Sequence, residues 1–283
     1  MASRIAFKSA KLLLVGVLAA SVTSPVLAQS SVRAQALLDN KFVVNLGGFV
    51  VNSDVTASLN GQSTQNPEIN FDETFGKDNN ATRFRADALW RITPTHHLRL
   101  MYFNNNRNAA RAVDRDIQWG DYTFALGTTV ASEYKTQTTA LSYEYAFMRQ
   151  PSYEVVANVG VHYSKITLKL SGNASVNGTP VGATTREDTL SAPLPLIGVR
   201  AGWVVSPQWY IDAQAQLFGV NVNGYDGHWS DLRFGATWMF SNNFGLGLGY
   251  DRFASNVDVD KGSFKGTANV GYSGLLLYLT GTF

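Results

Sequence analysis

Between Tyr153 and Tyr163 apolar and polar residues alternate without a break. Tyr153, Val155, Ala157, Val159, Val161 and Tyr163 share one parity, and Glu154, Val156, Asn158, Gly160, His162 and Ser164 share the other. Successive side chains of a strand point to opposite faces, so a period of two predicts a β-strand with one greasy and one mixed side. The greasy side is eleven residues long and begins and ends in tyrosine. Strands in soluble sandwiches commonly have about half that length, whereas a tilted strand crossing a bilayer takes about 9–11 residues with aromatic girdles at both interfaces.

The pattern repeats along the chain. Phe84, Ala86, Ala88, Trp90 and Ile92 oppose Arg83, Arg85, Asp87 and Arg91; Leu141, Tyr143, Tyr145 and Phe147 oppose Ser142, Glu144 and Ala146. Similar stretches follow at 209–217, 232–240 and 244–251. Connections alternate in length. Turn-forming residues cluster at Thr93-Pro94-Thr95, Arg149-Gln150-Pro151-Ser152, Ser206-Pro207-Gln208 and Ser241-Asn242-Asn243. Long polar segments fall at about 54–79, 104–132 and 171–189. Ten strands are predicted, at roughly 41–53, 80–92, 97–106, 133–148, 153–169, 190–205, 209–222, 229–240, 244–255 and 268–283. The expected fold is therefore all-β, a single antiparallel up-and-down transmembrane β-barrel of 41–283, with twelve or eight strands as the alternatives. Within 104–132, Tyr122-Thr123-Phe124-Ala125-Leu126 reads as strand, so that loop is expected to extend the barrel as a hairpin.

The first residues change the charge picture. Arg4, Lys8 and Lys11 precede an apolar run from Leu12 to Ala20, and Val26-Leu27-Ala28 stands before Gln29. These are the parts of a secretory signal peptide, 1–28, and the run is too short to span a bilayer as a helix. Removing it takes three bases and no acid from the 23 and 21 in the sequence, leaving a near-neutral chain of 255 residues. No nucleic-acid partner is implied. Residues 29–40 are expected as a periplasmic lead-in with a helical turn around Ala34 to Leu38. Cysteine is absent, which removes disulfides and thiolate metal sites. The four histidines have no metal-ligand spacing, and neither metal nor cofactor is expected.

Assigning the polar parity to the lumen gathers Arg83, Arg85, Arg91, Arg99, Arg200 and Arg233 against Asp87, Glu144, Glu154, Asp212 and Asp251. Around eight strands side chains just fill a barrel, and sixteen or more leave a channel, so about ten strands lie near the filled end. A balanced interior in that space reads as a paired network that plugs the barrel, with Arg83, Arg85 and Arg99 expected to contact Glu144, Glu154 or Asp212. A narrow channel for small solutes is the alternative. Trp90, Tyr153, Tyr163, Trp209, Trp238 and Phe283 are the expected interface aromatics.

The last strand, Gly271 to Phe283, carries Leu275, Leu277, Leu279 and Phe283 on one parity and ends on an aromatic. It resembles the C-terminal strand of bacterial outer-membrane barrels, although the aromatic favoured two places before the end is Gly281 here. The resemblance, to small bacterial outer-membrane β-barrel proteins as a class, covers about Lys41 to Phe283. It implies a cell outer-membrane location in a Gram-negative envelope, contact with outer-membrane lipid and lipopolysaccharide, and passage through the export and barrel-assembly machinery. Structural, adhesive or surface-interaction roles are expected, without enzymatic activity. Two enzymatic readings rest on fewer residues. His162-Tyr163-Ser164 resembles the His-x-Ser motif of the outer-membrane lipid A 3-O-deacylases, in which His activates Ser, but Lys165 replaces the family's Asn. His228 between Asp226 and Asp231 resembles the Asp and His residues of omptin-like proteases, where such a pair would activate water.

Overall fold

Where Val, Ile, Tyr, Phe and Thr alternate with polar or small residues, the chain builds strand. The computed structural model describes residues 32–59, 69–70, 74, 83–222, 225–261 and 264–283. The signal segment, residues 29–31 of the lead-in, the first three residues of the strand expected at 80–92 and most of the first long loop lie outside the described residues. Ten long strands form the wall: β1 (Phe42–Leu59), β3 (Arg83–Arg91), β4 (His96–Ala112), β7 (Thr129–Gln150), β8 (Tyr153–Val176), β9 (Thr179–Val204), β10 (Trp209–Val222), β11 (Tyr225–Met239), β12 (Phe244–Lys261) and β13 (Phe264–Thr282). Short strands β2 (Ile69–Asn70), β5 (Ile117–Trp119) and β6 (Tyr122–Phe124) lie between them. Each wall strand pairs antiparallel with the next, and β13 returns to β1 from Thr282–Val43 upward, which closes the barrel.

The four tight turns lie at one end, the turn end, and the long hairpins lie at the other. At the turn end Thr93 Oγ1 accepts from the amides of Thr95 and His96, and Ser241 Oγ does the same for Asn243 and Phe244. At the hairpin end the strands run beyond their expected limits. The polar segment expected as a loop at 171–189 is instead a continuous hairpin of β8 and β9. Its reversal is a two-residue turn at Asn177 and Gly178, with φ of 49° and 79°. Both left-handed residues fit a type I′ turn, whose twist matches that of the flanking strands. The predicted hairpin inside 104–132 forms as β5 and β6, and Tyr122 pairs with Val176 of β8.

The parities sort as a membrane barrel requires. Val159, Ile197, Leu217, Phe234, Leu248 and Leu277 are each more than half exposed, and all point outward. Aromatics ring the turn end: Phe42 stacks on Trp90 at 6.2 Å, Tyr153 meets Trp203 at 5.8 Å, and Phe244 meets Phe283 at 6.1 Å. Trp209, Trp238 and Phe283 are exposed there, and Tyr163 is half-exposed farther along β8. No described helix is long and apolar enough to cross a membrane.

Inside, the lead-in packs into the turn end. A 3₁₀ turn (Arg33–Gln35) runs into the short helix α1 (Ala36–Asp39). Ala34, Leu37 and Leu38 are buried against Val43, Leu89, Tyr210 and Met239. The segment is tied to the wall by the Ala34 amide, which donates to Pro207 O, and by Thr282 Oγ1, which donates to Ala36 O.

Candidate functional site in the barrel lumen

The inward parity of ten tilted strands brings charges from distant sequence positions to a few levels of the lumen. The level nearest the turn end is built on Glu144 and Glu154, both with no exposed surface. Arg99 Nε donates to Glu144 Oε1 at 2.6 Å. Arg200 Nη2 bridges the two carboxylates, at 2.9 Å to Glu144 Oε2 and 2.8 Å to Glu154 Oε1. Arg91 Nη2 and Arg149 Nη1 reach Glu154 at 3.3 and 3.5 Å, and His97 Nδ1 lies 3.8 Å from Glu144.

The same arginines hold the lead-in. Arg91 donates to the carbonyls of Leu37 and Asn40 at 2.7 and 3.0 Å, and Arg149 donates to Leu38 O at 2.8 Å and Asp39 Oδ1 at 2.9 Å. The last carbonyls of a helix have no partner within it, and here guanidinium groups supply one. Charge pairing and plug docking are therefore one network. Buried charge is tolerated because each carboxylate accepts several donors, which offsets its lost hydration.

A second level sits higher. Arg85 donates to Asp87 at 3.0 Å and to Asp251, while Arg233 Nη1 lies 3.3 Å from Asp87. Arg233 also stands over the Tyr278 ring, whose hydroxyl shares a hydrogen with Thr237 Oγ1 at 2.8 Å. Arg83 Nε donates to Asn105 at 2.6 Å. Of the pairs expected for Arg83, Arg85 and Arg99, the Arg99–Glu144 contact forms, whereas Arg83 and Arg85 find other partners. The reason is height. Glu154 lies beside the turn at Pro151 and Glu144 pairs with His97 beside the turn at Pro94, near Arg91 and Arg99, whereas Arg85 stands six residues up β3 from Arg91. Asp212 makes no ion pair among the described residues and rests against Gly235, where a Cβ would lie 2.5 Å from its Oδ1.

Above the charges comes an aromatic layer of Phe49, Phe103, Trp229, Phe253 and Tyr272. His162 stacks on Trp229 at 4.6 Å with 12° between planes. Ser164 Oγ instead shares a hydrogen with Thr138 Oγ1 at 3.0 Å, so the two residues of the His-x-Ser motif are engaged elsewhere. Asp226 and His228 share the outward parity of Leu232 and Phe234, whereas Asp231 is buried inside beside Asp251. Asp231 therefore lies on the opposite face of β11 from His228. Near the hairpin end, Val113, Ile117, Trp119 and Phe124 bury against Val130, Leu168 and Leu170 of the wall, and Val270 of β13 joins them from the opposite side.

His97 and Asp231 share parities with Arg99 and Arg233, so alternation alone could have placed them inside. Arg149 could not be placed that way. A bulge between Ala146 and Met148 shifts the end of β7 by one residue and brings Arg149 opposite Glu154.

No family model matches the chain, and no curated protein matches it in sequence. Solved structures do resemble it. The outer membrane protease OmpT from Escherichia coli aligns over 91% of this chain and 99% of its own, with a TM-score of 0.59 and 10% identity. The P. putida toluene transporter TodX aligns over 90% and 93% at a TM-score of 0.38 and 9% identity. Neisserial surface protein A aligns over 86% and 97% at 0.33 and 13%. At these identities the likeness is one of fold. The likeness to OmpT, the closed ten-stranded barrel and its apolar exterior give the chain the fold of a bacterial outer-membrane β-barrel protein.

Proposed function

We propose that the protein is a non-conducting, non-enzymatic barrel that serves the envelope through its extracellular hairpins, in surface attachment or as a structural element. The observation that supports this reading is the dense packing of side chains at both ends of the lumen. Ionic pairing and the docked lead-in fill the periplasmic end, and an apolar core under the β5–β6 hairpin fills the other. Long hairpins on a rigid scaffold leave a surface suited to recognition. Lys165 and Lys169 follow Tyr163 on the outward parity of β8, with Lys135 opposite Thr167 between them. This placement supports contact with the anionic headgroups of lipopolysaccharide. The exposed Phe283 beside the β1–β13 closure supports recognition by the assembly machinery.

The competing reading is a narrow channel lined by the arginines. Liposomes carrying the refolded protein should swell in small sugars no faster than protein-free ones. Cells whose β8–β9 tip, 173–182, is shortened to an Asn-Gly turn should lose surface attachment while the barrel keeps its heat-dependent gel shift. Rapid swelling would favour the channel, and unchanged attachment would remove this hairpin from the adhesive role.

A further inference from the structure

The barrel wall is not equally closed all round. The β8–β9 ladder continues to Val176–Thr179 with a single irregularity. Among the described residues, the β9–β10 ladder has eight pairs, from Val204–Tyr210 to Ile197–Leu217, and stops there. Eight residues at about 3.4 Å each and a tilt of about 40° climb roughly 20 Å, less than the roughly 25 Å of an apolar membrane band. The pairing therefore ends within reach of lipid.

Two prolines account for the break. Backbone N–H groups alternate in direction along a strand. The Val204 amide donates to Ser152 O on the β8 side, and the Val205 amide donates to Trp209 O on the β10 side. Odd-numbered residues of β9 thus aim their amides at β10. The next odd positions past Ile197 are Pro195 and Pro193, which have no N–H to give, although both keep their places opposite β8 at Val161 and Tyr163. Across the seam Gly219, the next residue after Leu217 on the outward parity, would stand opposite Pro195 if the register continued.

Backbone left unpaired at membrane depth is tolerated where it borders a cavity. A lumen cavity reaches this side of the wall at Leu194 of β9. It measures about 60 Å³ and is walled by Phe103, Tyr134, Ile166, Leu194, Phe253 and Tyr272. Leu194 stands on β9 between the two prolines, and Leu196 and Phe218, the first residues past the last pair, pack into the aromatic layer below. Four hydroxyls of the chamber wall bond in pairs, Ser164 with Thr138 at 3.0 Å and Thr136 with Tyr134 at 2.5 Å, and Asn105, His162 and Ser255 complete a lining that presents mainly apolar surface to the space. Apolar cavities stay dry and accept hydrocarbon; the one that admits benzene has about 150 Å³. This chamber is less than half that size, so the candidate occupant is the narrow end of an aliphatic chain.

We propose that the β9–β10 seam is a lateral doorway through which the end of an aliphatic acyl chain of an outer-leaflet lipid enters this chamber. The site is independent of the surface role proposed above. In vesicles of phosphatidylethanolamine and phosphatidylglycerol doped with a lipid bearing a diazirine at its acyl terminus, photolysis should give adducts on inward Leu194, Phe253 or Tyr272, besides outward Val159 and Leu248. The chain has no cysteine, so a Pro195→Cys/Gly219→Cys bridge can close the seam cleanly. Oxidation should abolish the inward adducts, reduction should restore them, and the outward adducts should persist in both states. If that variant fails to fold or to bridge, judged by its gel shift and by thiol titration, Pro193→Thr/Pro195→Thr carries the same test by restoring both donors to β10. Absence of inward adducts in the native protein would overturn the proposal. So would inward adducts that survive closure, or that arise only from a diazirine fatty acid added in water, because either result places entry at the aqueous mouth.

Discussion

The two ends of the lumen are packed by different physics. At the turn end Glu144 and Glu154, fully buried, are surrounded by Arg91, Arg99, Arg149 and Arg200, and the same guanidinium groups grip the carbonyls of the lead-in. At the hairpin end Phe124, Val130 and Leu170 are equally buried, yet the core there is apolar and polar contacts such as Trp119 Nε1 to Asp188 lie at its edge. An ionic closure is directional and interdependent, so losing one partner strands the others. An apolar closure yields in proportion to the surface removed. The ionic end should therefore fail globally and the apolar end locally.

Glu144→Ala should have the largest effect. It leaves Arg99 and Arg200 without their shared carboxylate, and removing one partner of a buried pair costs about 3–5 kcal/mol. The midpoint of urea unfolding in vesicles should fall clearly, and Arg99→Ala added to it should recover part of the loss. A smaller but still global loss, about 2–4 kcal/mol in the same titration, is expected for Val159→Arg on the lipid face. Ile117→Val in the apolar closure should cost about 0.5–1.5 kcal/mol. Its signature is local: faster proteolytic nicking within 113–128, with the urea midpoint of the wall nearly unchanged. Asp39→Ala marks the lower limit. Its carboxylate is 54% exposed where it meets Arg149, so about 0–1 kcal/mol is expected and high salt should mask it. Equal global effects of Glu144→Ala and Ile117→Val would erase the distinction between the two ends.

How legible these closures were differs in the same way. Alternation placed the ten wall strands, because one face of each had to be greasy along its whole membrane span. It also turned Glu144, Glu154, Arg91, Arg99 and Arg200 toward one lumen. It could not rank them by height, since strand stagger is set by closure through β1 and β13 rather than by any single segment. That is why Arg85 was expected against glutamates it does not meet. The bulge that redirects Arg149 and the prolines that end the β9–β10 ladder act through backbone hydrogen bonds, to which a count of apolar positions is blind. The apolar closure was the least visible. Val113, Ile117, Trp119 and Phe124 are interspersed with Asp114, Arg115, Asp116, Gly120 and Asp121, and only the fold gathers the four against β7 and β8.

The central claim is that the two closures together seal the lumen, and single-channel recording in a planar bilayer tests it most directly. The native protein should insert without conductance steps, whereas removal of 113–128 combined with Glu154→Ala should produce reproducible steps. Stable steps from the native protein, abolished when Arg99 or Arg200 is replaced, would contradict the account and establish an open, arginine-lined pore.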